Sequence, residues 1–251
     1  MDEQEPRRPS SDDDTGIVER LQRSLLPSVL EIKGLTTAAE YLPAARHHNV
    51  GGDWYDVFEP APGQVAWVIG DVAGHGFGEA VVMAQLRNAL RAYALDTTDP
   101  AEILTRLDRF LVAYLPPDTT ATACVIVLDR ATSEIRYSVA GHPPPMLLCE
   151  RGGENQAHWL DDASGLPLGV RLTDLRPVAS RPLLSGDTLV LYTDGLVEKP
   201  DDDIDAGLDR LERAAFLLAR DAPADLCRQL MRLPGDLYAG DDRALLVSRI
   251  G

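Results

Sequence analysis

Four short stretches of this sequence place aspartate beside glycine at the end of an apolar segment, and they constrain the fold more than any other feature. The stretches are GGDWYD, VIGDVAGHG, LYTDGLVE and AGDDRALL. Any one of them alone is typical of a turn, because Asp and Gly both favour turns. Four acidic turns, each beside a very apolar strand, indicate strand ends that converge so that several carboxylates face one point.

Converging carboxylates predict a site for hard divalent cations, because like charges at close range cannot all stay ionised unless cations lie between them. The donors are all oxygen, with no cysteine pair or histidine pair at zinc spacing, which favours Mg²⁺ or Mn²⁺. No twelve-residue calcium loop of the EF-hand type is present. Carboxylates that bridge two such ions about 3.5–4 Å apart activate water for in-line attack on phosphorus.

Motifs for other hydrolytic mechanisms are weaker. No G-x-S-x-G elbow occurs, and no cysteine is placed in the phosphate-binding loop of a cysteine phosphatase. The GDVAGHG stretch also lacks the Lys-Ser/Thr pair of a phosphate-cradling P-loop.

The charge of the chain excludes some partners. Twenty-four basic and 40 acidic residues give a formal net charge of −16, which disfavours nucleic acid and anionic membrane surfaces. No apolar run approaches the roughly 18 residues of a membrane span, and the N-terminus lacks an apolar secretion signal. We therefore expect a cytoplasmic protein. Cys124, Cys149 and Cys227 are far apart in apolar contexts, so we expect buried, inert thiols.

Hydrophobic periodicity predicts an α+β protein. Strand patterns occupy residues 36–42, 54–59, 65–70, 121–128, 134–140, 146–149 and 188–192, and the apolar run ALLVSRI predicts a last strand. Helical patterns occupy residues 77–95, 100–115, 204–219 and 223–233. Groups of strands interrupted by pairs of helices favour antiparallel sheets covered by helices.

The N-terminal region has a different character. Residues 1–14 are polar and acidic and predict a disordered tail. Residues 15–30 predict an amphipathic helix that Pro27 brings to an end, with an apolar stripe over residues 17–26. This helix either packs on the domain of residues 31–251 or contacts a second copy of the chain as a dimerising or signal-receiving element.

Strand geometry separates the two aspartates of the first stretch. Side chains alternate between faces, so Asp53 shares a face with Tyr55 and Val57, whereas Asp56 lies with Trp54 on the other. The same alternation separates Asp241 from Asp242. Spacing alone does not show which member of either pair faces the cations.

Nine stretches, in order along nearly the whole chain, resemble the metal-dependent protein phosphatase (PPM) family in its bacterial SpoIIE-like branch, which includes RsbU-type regulators. They are RLQRSLLP, AEYLPA, VGGDWYDVF, GDVAGHG, TATACVIVLD, AGHPPP, GLPLGV, LYTDGLVE and GDDRALLV. The resemblance implies a four-layer α-β-β-α sandwich, in which two packed antiparallel sheets are flanked by helices. It also implies a two-metal centre at one end of the sandwich.

The resemblance assigns roles to individual residues. Asp53 corresponds to the first metal carboxylate and Asp71 to the aspartate that bridges both ions. Val72 corresponds to a residue that contributes its main-chain oxygen. Asp194 and Asp241 match the ligands of the other ion. The family's cofactor is Mn²⁺ or Mg²⁺, as two ions or three.

Neighbouring residues keep alternative roles. Asp242 stays open as a ligand in place of Asp241, and Asp56 is expected to be a structural group hydrogen-bonded at the rim. His142 is expected to orient a loop or to lie at the substrate edge. His47 and His48 are solvated or help to hold phosphate, and no arginine matches the family's phosphate-binding arginine.

The implied reaction is direct hydrolysis of a phosphoserine or phosphothreonine ester by a metal-bridging water. Asp71 would be central to it, and His75 is the nearest candidate for the acid that protonates the leaving oxygen, although it could instead hydrogen-bond its loop. The branch implies a phosphorylated STAS-domain protein, an anti-sigma factor antagonist, as substrate. The alternatives are a catalytically silent module with the same fold and a two-metal phosphodiesterase, which the acidic charge disfavours.

Overall fold

The structure, a computed structural model, describes residues 31–43, 51–74, 76–171, 176–199, 203–233 and 241–251. The predicted tail and N-terminal helix (residues 1–14 and 15–30) lie outside the described residues. No helix within the described residues has both the length and the apolar character that a membrane span requires.

Eleven strands of the described residues form two sheets. The strands are β1 (Leu35–Leu42), β2 (Trp54–Phe58), β3 (Gln64–Val72), β4 (Ala121–Asp129), β5 (Glu134–Ala140), β6 (Met146–Arg151), β7 (Glu154–Trp159), β8 (Ser164–Gly165), β9 (Ala179–Pro182), β10 (Thr188–Tyr192) and β11 (Arg243–Ile250). The first sheet has the order β1-β11-β10-β6-β7. The second has the order β2-β3-β4-β5-β8, and β9 also pairs with β5. All pairings between these strands are antiparallel except β5 with β8.

Four α-helices of the described residues cover the sheets in pairs. They are α1 (Phe77–Ala94), α2 (Pro100–Tyr114), α3 (Ile204–Leu217) and α4 (Pro223–Leu230). The start of α2 follows from local chemistry, because the Asp99 side chain accepts hydrogen bonds from the backbone N–H groups of Ala101 and Glu102, and Pro100 needs no partner in the first turn.

Three apolar clusters fill the spaces between four layers. The cluster between the two sheets includes Tyr55, Trp67 and Leu191. A second cluster joins the outer face of the β2-containing sheet to α1 and α2, and a third joins the outer face of the β1-containing sheet to α3 and α4. The predicted α-β-β-α sandwich is therefore confirmed, and its core is two-sided for each sheet.

The predicted helices and strands that fall within the described residues are all present, with ends that differ by a few residues. Helix α3 ends at Leu217 and α4 at Leu230, before the ends predicted from periodicity. Three strands were not predicted: β7, β8 and β9 are short and mostly polar or exposed, so they carry little hydrophobic alternation. The three cysteines are buried and free, as predicted.

Candidate metal centre

Four strand ends meet at one end of the sandwich. Asp53 directly precedes β2, and Asp71 lies at the end of its antiparallel partner β3. Asp194 opens a 3-10 turn directly after β10, and Asp241 and Asp242 directly precede its antiparallel partner β11. Antiparallel pairing places the end of one strand beside the start of its partner, so the five aspartates, which we name the acidic centre, share one end.

Asp53 and Asp71 are in direct contact. Asp53 is only 2% exposed, and its side chain shares a hydrogen bond with that of Asp71. Burial and the neighbouring Asp71 carboxylate raise the pKa of Asp53 well above its usual value. The Thr193 hydroxyl donates to Asp53 Oδ2 at 2.7 Å and accepts from the backbone N–H of Ala244 at 2.8 Å. Thr193 thereby ties Asp53, on one sheet, to β11 on the other.

Asp71 experiences the electrostatic field of the other carboxylates. Burial raises the pKa of Asp71 to about 7, with further contributions from Asp194, Asp241 and Asp242. Burial and the Asp241 carboxylate likewise raise the pKa of Asp194 to about 6. Burial and the neighbouring carboxylates therefore both oppose ionisation of these groups, and a bound cation would relieve the repulsion.

Asp241 and Asp242 have different environments. Asp241 is exposed, and its Oδ1 accepts a hydrogen bond from the backbone N–H of Asp242 at 2.8 Å. Asp242 is 5% exposed and hydrogen-bonds the Tyr41 hydroxyl, whose pKa is raised by burial and by the Asp242 carboxylate. Asp242 acts electrostatically on Asp53, whereas Asp241 acts on Asp194. Asp71 interacts electrostatically with both Asp241 and Asp242.

The glycine pair of the first motif permits the close approach of these elements. A Cβ atom on Gly51 would lie 1.6 Å from Asp242 Oδ2, and one on Gly52 would lie 2.4 Å from the carbonyl oxygen of Val72. The Val72 N–H donates to the Gly52 carbonyl at 3.3 Å. The two glycines thus let the chain before β2 pass directly against Val72 and Asp242.

The donor chemistry of the acidic centre fits a hard divalent cation. Its groups are carboxylate oxygens, several of them buried and mutually repelling, and the carbonyl of Val72 lies against the same chain segment. In the part of the chain that the structure describes, no three Asp, Glu, His or Cys side chains close on a common point as a metal-ion site would require. The structure places the predicted residues at the same end of the sandwich but not in the arrangement of a metal site, so the coordination of ions by Asp53, Asp71, Val72, Asp194 and Asp241 stays a prediction.

Asp56 faces away from the acidic centre. It is 1% exposed and accepts two hydrogen bonds of 2.6 Å from Arg91 and one of 3.2 Å from Arg87, both on α1. The predicted alternation of faces is confirmed, because Asp56 lies on the helix side of β2 with Trp54. The expected position at the rim is wrong, since the ion pair lies between β2 and α1.

His142 connects the two sheets beneath the acidic centre. Its Nε2 is 3.0 Å from the carbonyl oxygen of Tyr192, and its Nδ1 is 2.8 Å from the Thr122 hydroxyl. The carbonyl can only accept, so Nε2 carries the proton and Nδ1 accepts from Thr122. Burial lowers the pKa of His142 to about 4, so the ring is neutral. The predicted structural role is confirmed.

Two further predictions on reactive groups have different outcomes. His75, His47 and His48 lie outside the described residues. The prediction that no cysteine has the spacing of a cysteine-phosphatase loop is wrong, because Cys124 and Arg130 have it. Cys124 nevertheless lies in the middle of β4, where burial raises its pKa. A thiol that resists ionisation is a poor nucleophile, which agrees with the prediction of an inert cysteine.

Sequence reasoning missed Thr193 and Tyr41. Thr193 directly precedes Asp194 and Tyr41 belongs to the AEYLPA stretch, so both stood in motifs already identified. Thr193 had a detectable signal, a polar residue directly after the buried strand Thr188–Tyr192, whereas Tyr41 in the mixed strand Leu35–Leu42 had none. Their partners, Asp53 and Asp242, lie on other elements and could not be identified from spacing.

Comparison with known proteins extends the geometric result. The family model described as Stage II sporulation protein E (SpoIIE) matches residues 61–251. The chain belongs to the SpoIIE family. Among curated relatives, this SpoIIE-family chain is 29% identical over 155 residues to the phosphoserine phosphatase RsbP of Bacillus subtilis, covering 60% of this chain and 37% of RsbP. It is 25% identical over 183 residues to the phosphoserine phosphatase RsbU of the same organism, covering 72% of this chain and 52% of RsbU. The SpoIIE-family chain thus spans about a third to a half of these relatives.

Solved structures share the fold. The RsbU and RsbW domains of Rv1364c from Mycobacterium tuberculosis match with a TM-score of 0.79 and 36% identity, over 90% of this SpoIIE-family chain and 62% of that one. The SiaA-PP2C domain of Pseudomonas aeruginosa matches with a TM-score of 0.75 and 22% identity, over 96% of this chain and 97% of that one. The second match supports the fold alone.

Proposed function

We propose that this SpoIIE-family protein is a metal-dependent phosphoprotein phosphatase that hydrolyses phosphoserine or phosphothreonine on a regulatory protein. The observation that carries the proposal is the acidic centre, where four strand ends bring carboxylates into mutual electrostatic contact around Asp71. The similar proteins RsbP and RsbU are phosphoserine phosphatases, which supports the same reaction class.

The ligands of the proposed ions are Asp53, Asp71, the carbonyl of Val72, Asp194 and Asp241. Asp53 interacts with Asp242, and Asp194 interacts with Asp241, so the acidic centre contains two pairs of carboxylates. Asp71 interacts with members of both pairs, which supports two ions that share Asp71. Among relatives in fold, RsbX was solved in complex with magnesium and PstP with two manganese ions. When bound, Mg²⁺ or Mn²⁺ would lower the pKa of a coordinated water and neutralise charge on the phosphoryl oxygens. Asp242 is the alternative to Asp241.

The protein's own groups orient these ligands. Thr193 holds Asp53 Oδ2, and Tyr41 holds Asp242, so each carboxylate presents its remaining oxygen lone pairs in a fixed direction. The neutral His142 ring joins Thr122, the register partner of Asp71 on β4, to Tyr192, two residues before Asp194. The ring thereby sets the spacing of the sheets that carry the two halves of the centre.

The proposed substrate is a phosphorylated STAS-domain protein, and the proposed proton donor to the leaving oxygen is His75. The net charge of −16 supports a single phosphate ester on a protein over a polyanionic nucleic acid. The resemblance to RsbU-type regulators supports a substrate in sigma-factor regulation, and the similar proteins RsbP and RsbU are phosphoserine phosphatases.

A phosphatase assay tests the proposal. We expect release of phosphate from p-nitrophenyl phosphate and from a phosphoserine STAS protein with Mn²⁺ or Mg²⁺, and loss of release with chelator. We expect Asp71→Asn to lower kcat/KM by about 10³-fold or more, as for loss of a group central to transition-state stabilisation. Asp209→Asn, at an exposed carboxylate on α3, is the matched control and should leave kcat/KM unchanged.

Three outcomes would contradict the proposal. Cleavage of a phosphodiester without cleavage of a monoester would indicate the phosphodiesterase alternative. Binding of the STAS protein without turnover would indicate a silent module. Full activity in Asp71→Asn would place the reaction outside the acidic centre.

A further inference from the structure

A cavity of about 280 Å³ lies at the end of the sandwich opposite the acidic centre. Its lining includes Asp187, which directly precedes β10, Arg249 near the end of β11 and Arg151 at the end of β6. Strand β10 runs from this cavity to Tyr192 beside Asp194. At about 3.4 Å per residue, the cavity is therefore roughly 20 Å from the acidic centre, and the two sites are separate.

Three arginines line this cavity: Arg151, Arg220 and Arg249. Two acidic residues also line it, Glu150 and Asp187, so the formal lining charge is +1 in a chain of net charge −16. A cavity whose lining has a positive formal charge is unexpected in a protein with such an excess of acidic residues.

Asp187 does not offer its charge to a ligand. It is 0% exposed, and Arg151 donates to both of its oxygens at 2.7 and 2.6 Å. The Leu184 backbone N–H donates to Oδ2 as well, at 2.9 Å. These bonds occupy Asp187 and hold the Arg151 guanidinium in place.

Arg249 carries a charge that neutral groups orient. Its Nε donates to the Thr188 hydroxyl at 2.8 Å, and its Nη2 donates to the carbonyl of Ala219 at 2.7 Å. No carboxylate of the described residues hydrogen-bonds to Arg249, although the Asp221 carboxylate acts on it electrostatically, and partial burial lowers its pKa. Fixed in this way, Arg249 keeps its Nη1 donors for an anion. Arg220 is 68% exposed and pairs with Glu150 at 3.2 Å, a weak surface pair that an anion could replace.

We propose that this cavity binds a small metabolite through its phosphate group, with Arg249 and Arg220 as the cationic ligands. Guanidinium groups match phosphate oxygens in geometry, and charge-assisted hydrogen bonds of this kind are roughly twice as strong as neutral ones. Asn155 and Ser185 line the same cavity and add neutral donors. The volume admits a phosphate group and a compact organic part.

Calorimetric titration of inorganic phosphate and of AMP tests the proposal. The protein is kept in chelator, so that phosphate binding by cations at the acidic centre does not contribute. We expect a Kd of about 1 mM or tighter for at least one probe. Tighter binding of AMP would indicate an organic phosphate ester, and equal binding would indicate recognition of the phosphate group alone; both outcomes support the cavity as a phosphate site.

The variants locate the binding. Arg249→Leu should weaken binding about 10-fold to 100-fold, the loss expected for a charge-assisted contact. Arg220→Gln should weaken it less, and it carries little risk to folding because the side chain is largely exposed. Arg213→Leu, at an exposed arginine on α3, is the matched control. No binding by either probe, or unchanged binding in Arg220→Gln together with a folded Arg249→Leu, would overturn the proposal. Neither result depends on phosphatase activity.

Discussion

Replacing Asp108 by asparagine should reduce the stability of the protein sharply, because Asp108 and Arg176 form a fully buried ion pair. Their side chains are 1% and 2% exposed, and Arg176 Nη2 donates to Asp108 Oδ2 at 2.5 Å. Asp108 Oδ1 also accepts from the backbone N–H of Gly169 at 2.9 Å, and Arg176 Nη1 donates to the carbonyl of Leu166 at 2.8 Å. The pair therefore fastens the chain around Gly169 to helix α2.

The magnitude follows from the charge that the substitution leaves behind. Asparagine can still accept from Gly169, but it leaves the buried Arg176 guanidinium without a counter-charge, which costs about 3–5 kcal/mol. That is a large part of the 5–15 kcal/mol that is typical of total stability. With a urea m-value of about 3 kcal/mol/M, the midpoint of unfolding should fall by about 1 M or more.

Urea unfolding followed by circular dichroism measures this loss, and a double-mutant cycle tests its cause. Asp108→Leu with Arg176→Met should be less destabilised than the sum of the two single variants, because no unpaired charge is left in the double variant. Asp209→Asn, in an exposed pair with Arg213, should change stability by less than about 1 kcal/mol. A loss below about 1 kcal/mol in Asp108→Asn, or strict additivity in the cycle, would refute the reasoning.

Three further predictions concern the acidic centre and its support. Thr193→Val should weaken Mn²⁺ affinity about 10-fold to 100-fold, because Asp53 loses its orienting donor. Thr193→Ser keeps a hydroxyl donor and should retain the wild-type affinity. Equal Mn²⁺ affinities in all three proteins, measured by calorimetry, would contradict this prediction. The folded state lowers the pKa of His142 to about 4, so the unfolded state binds more protons between about pH 4 and 6.5. The neutral ring therefore contributes about 3 kcal/mol of stability above this window, and the contribution is lost as the pH falls through it. His142→Gln should abolish that component in urea unfolding at a series of pH values, and an identical pH profile in the two proteins would exclude it. Gly52→Ala should destabilise the protein by about 1–3 kcal/mol, because its Cβ would lie 2.4 Å from the Val72 carbonyl, whereas Gly63→Ala has no such contact and should show only the smaller cost of its positive φ.

Much of the fold could be predicted because its elements have strong local patterns. The helix of Pro100–Tyr114 has a proline at its first position, a capping Asp99 and a regular apolar face, and all three signals lie within the segment. Strand β7 has no comparable signal, because its residues are polar or partly exposed and its pairing with β6 depends on the turn that joins them. Prediction of an element from its local pattern succeeds where its buried residues follow one periodicity. It fails where pairing with a neighbouring strand alone stabilises the strand.

The candidate site was predictable to a different extent. Aspartates at the ends of apolar strands indicated convergence, and the alternation of faces separated Asp53 from Asp56, which lies against Arg91 on the opposite side of β2. The same alternation separates Asp241 from Asp242, but it does not show which of the two faces the cations. The structure distinguishes them, since Asp242 is buried beside Tyr41 and Asp241 is exposed.

The sequence by itself determined the layered α+β architecture and the gathering of aspartates at strand ends, because both follow from periodicities and residue types that act over a few neighbouring positions. Tertiary structure decided which groups meet: Thr193 with Asp53, Asp108 with Arg176, and the arginines around the distal cavity. These contacts join residues far apart in the chain. Their identity depends on strand register and layer packing, which no local pattern encodes.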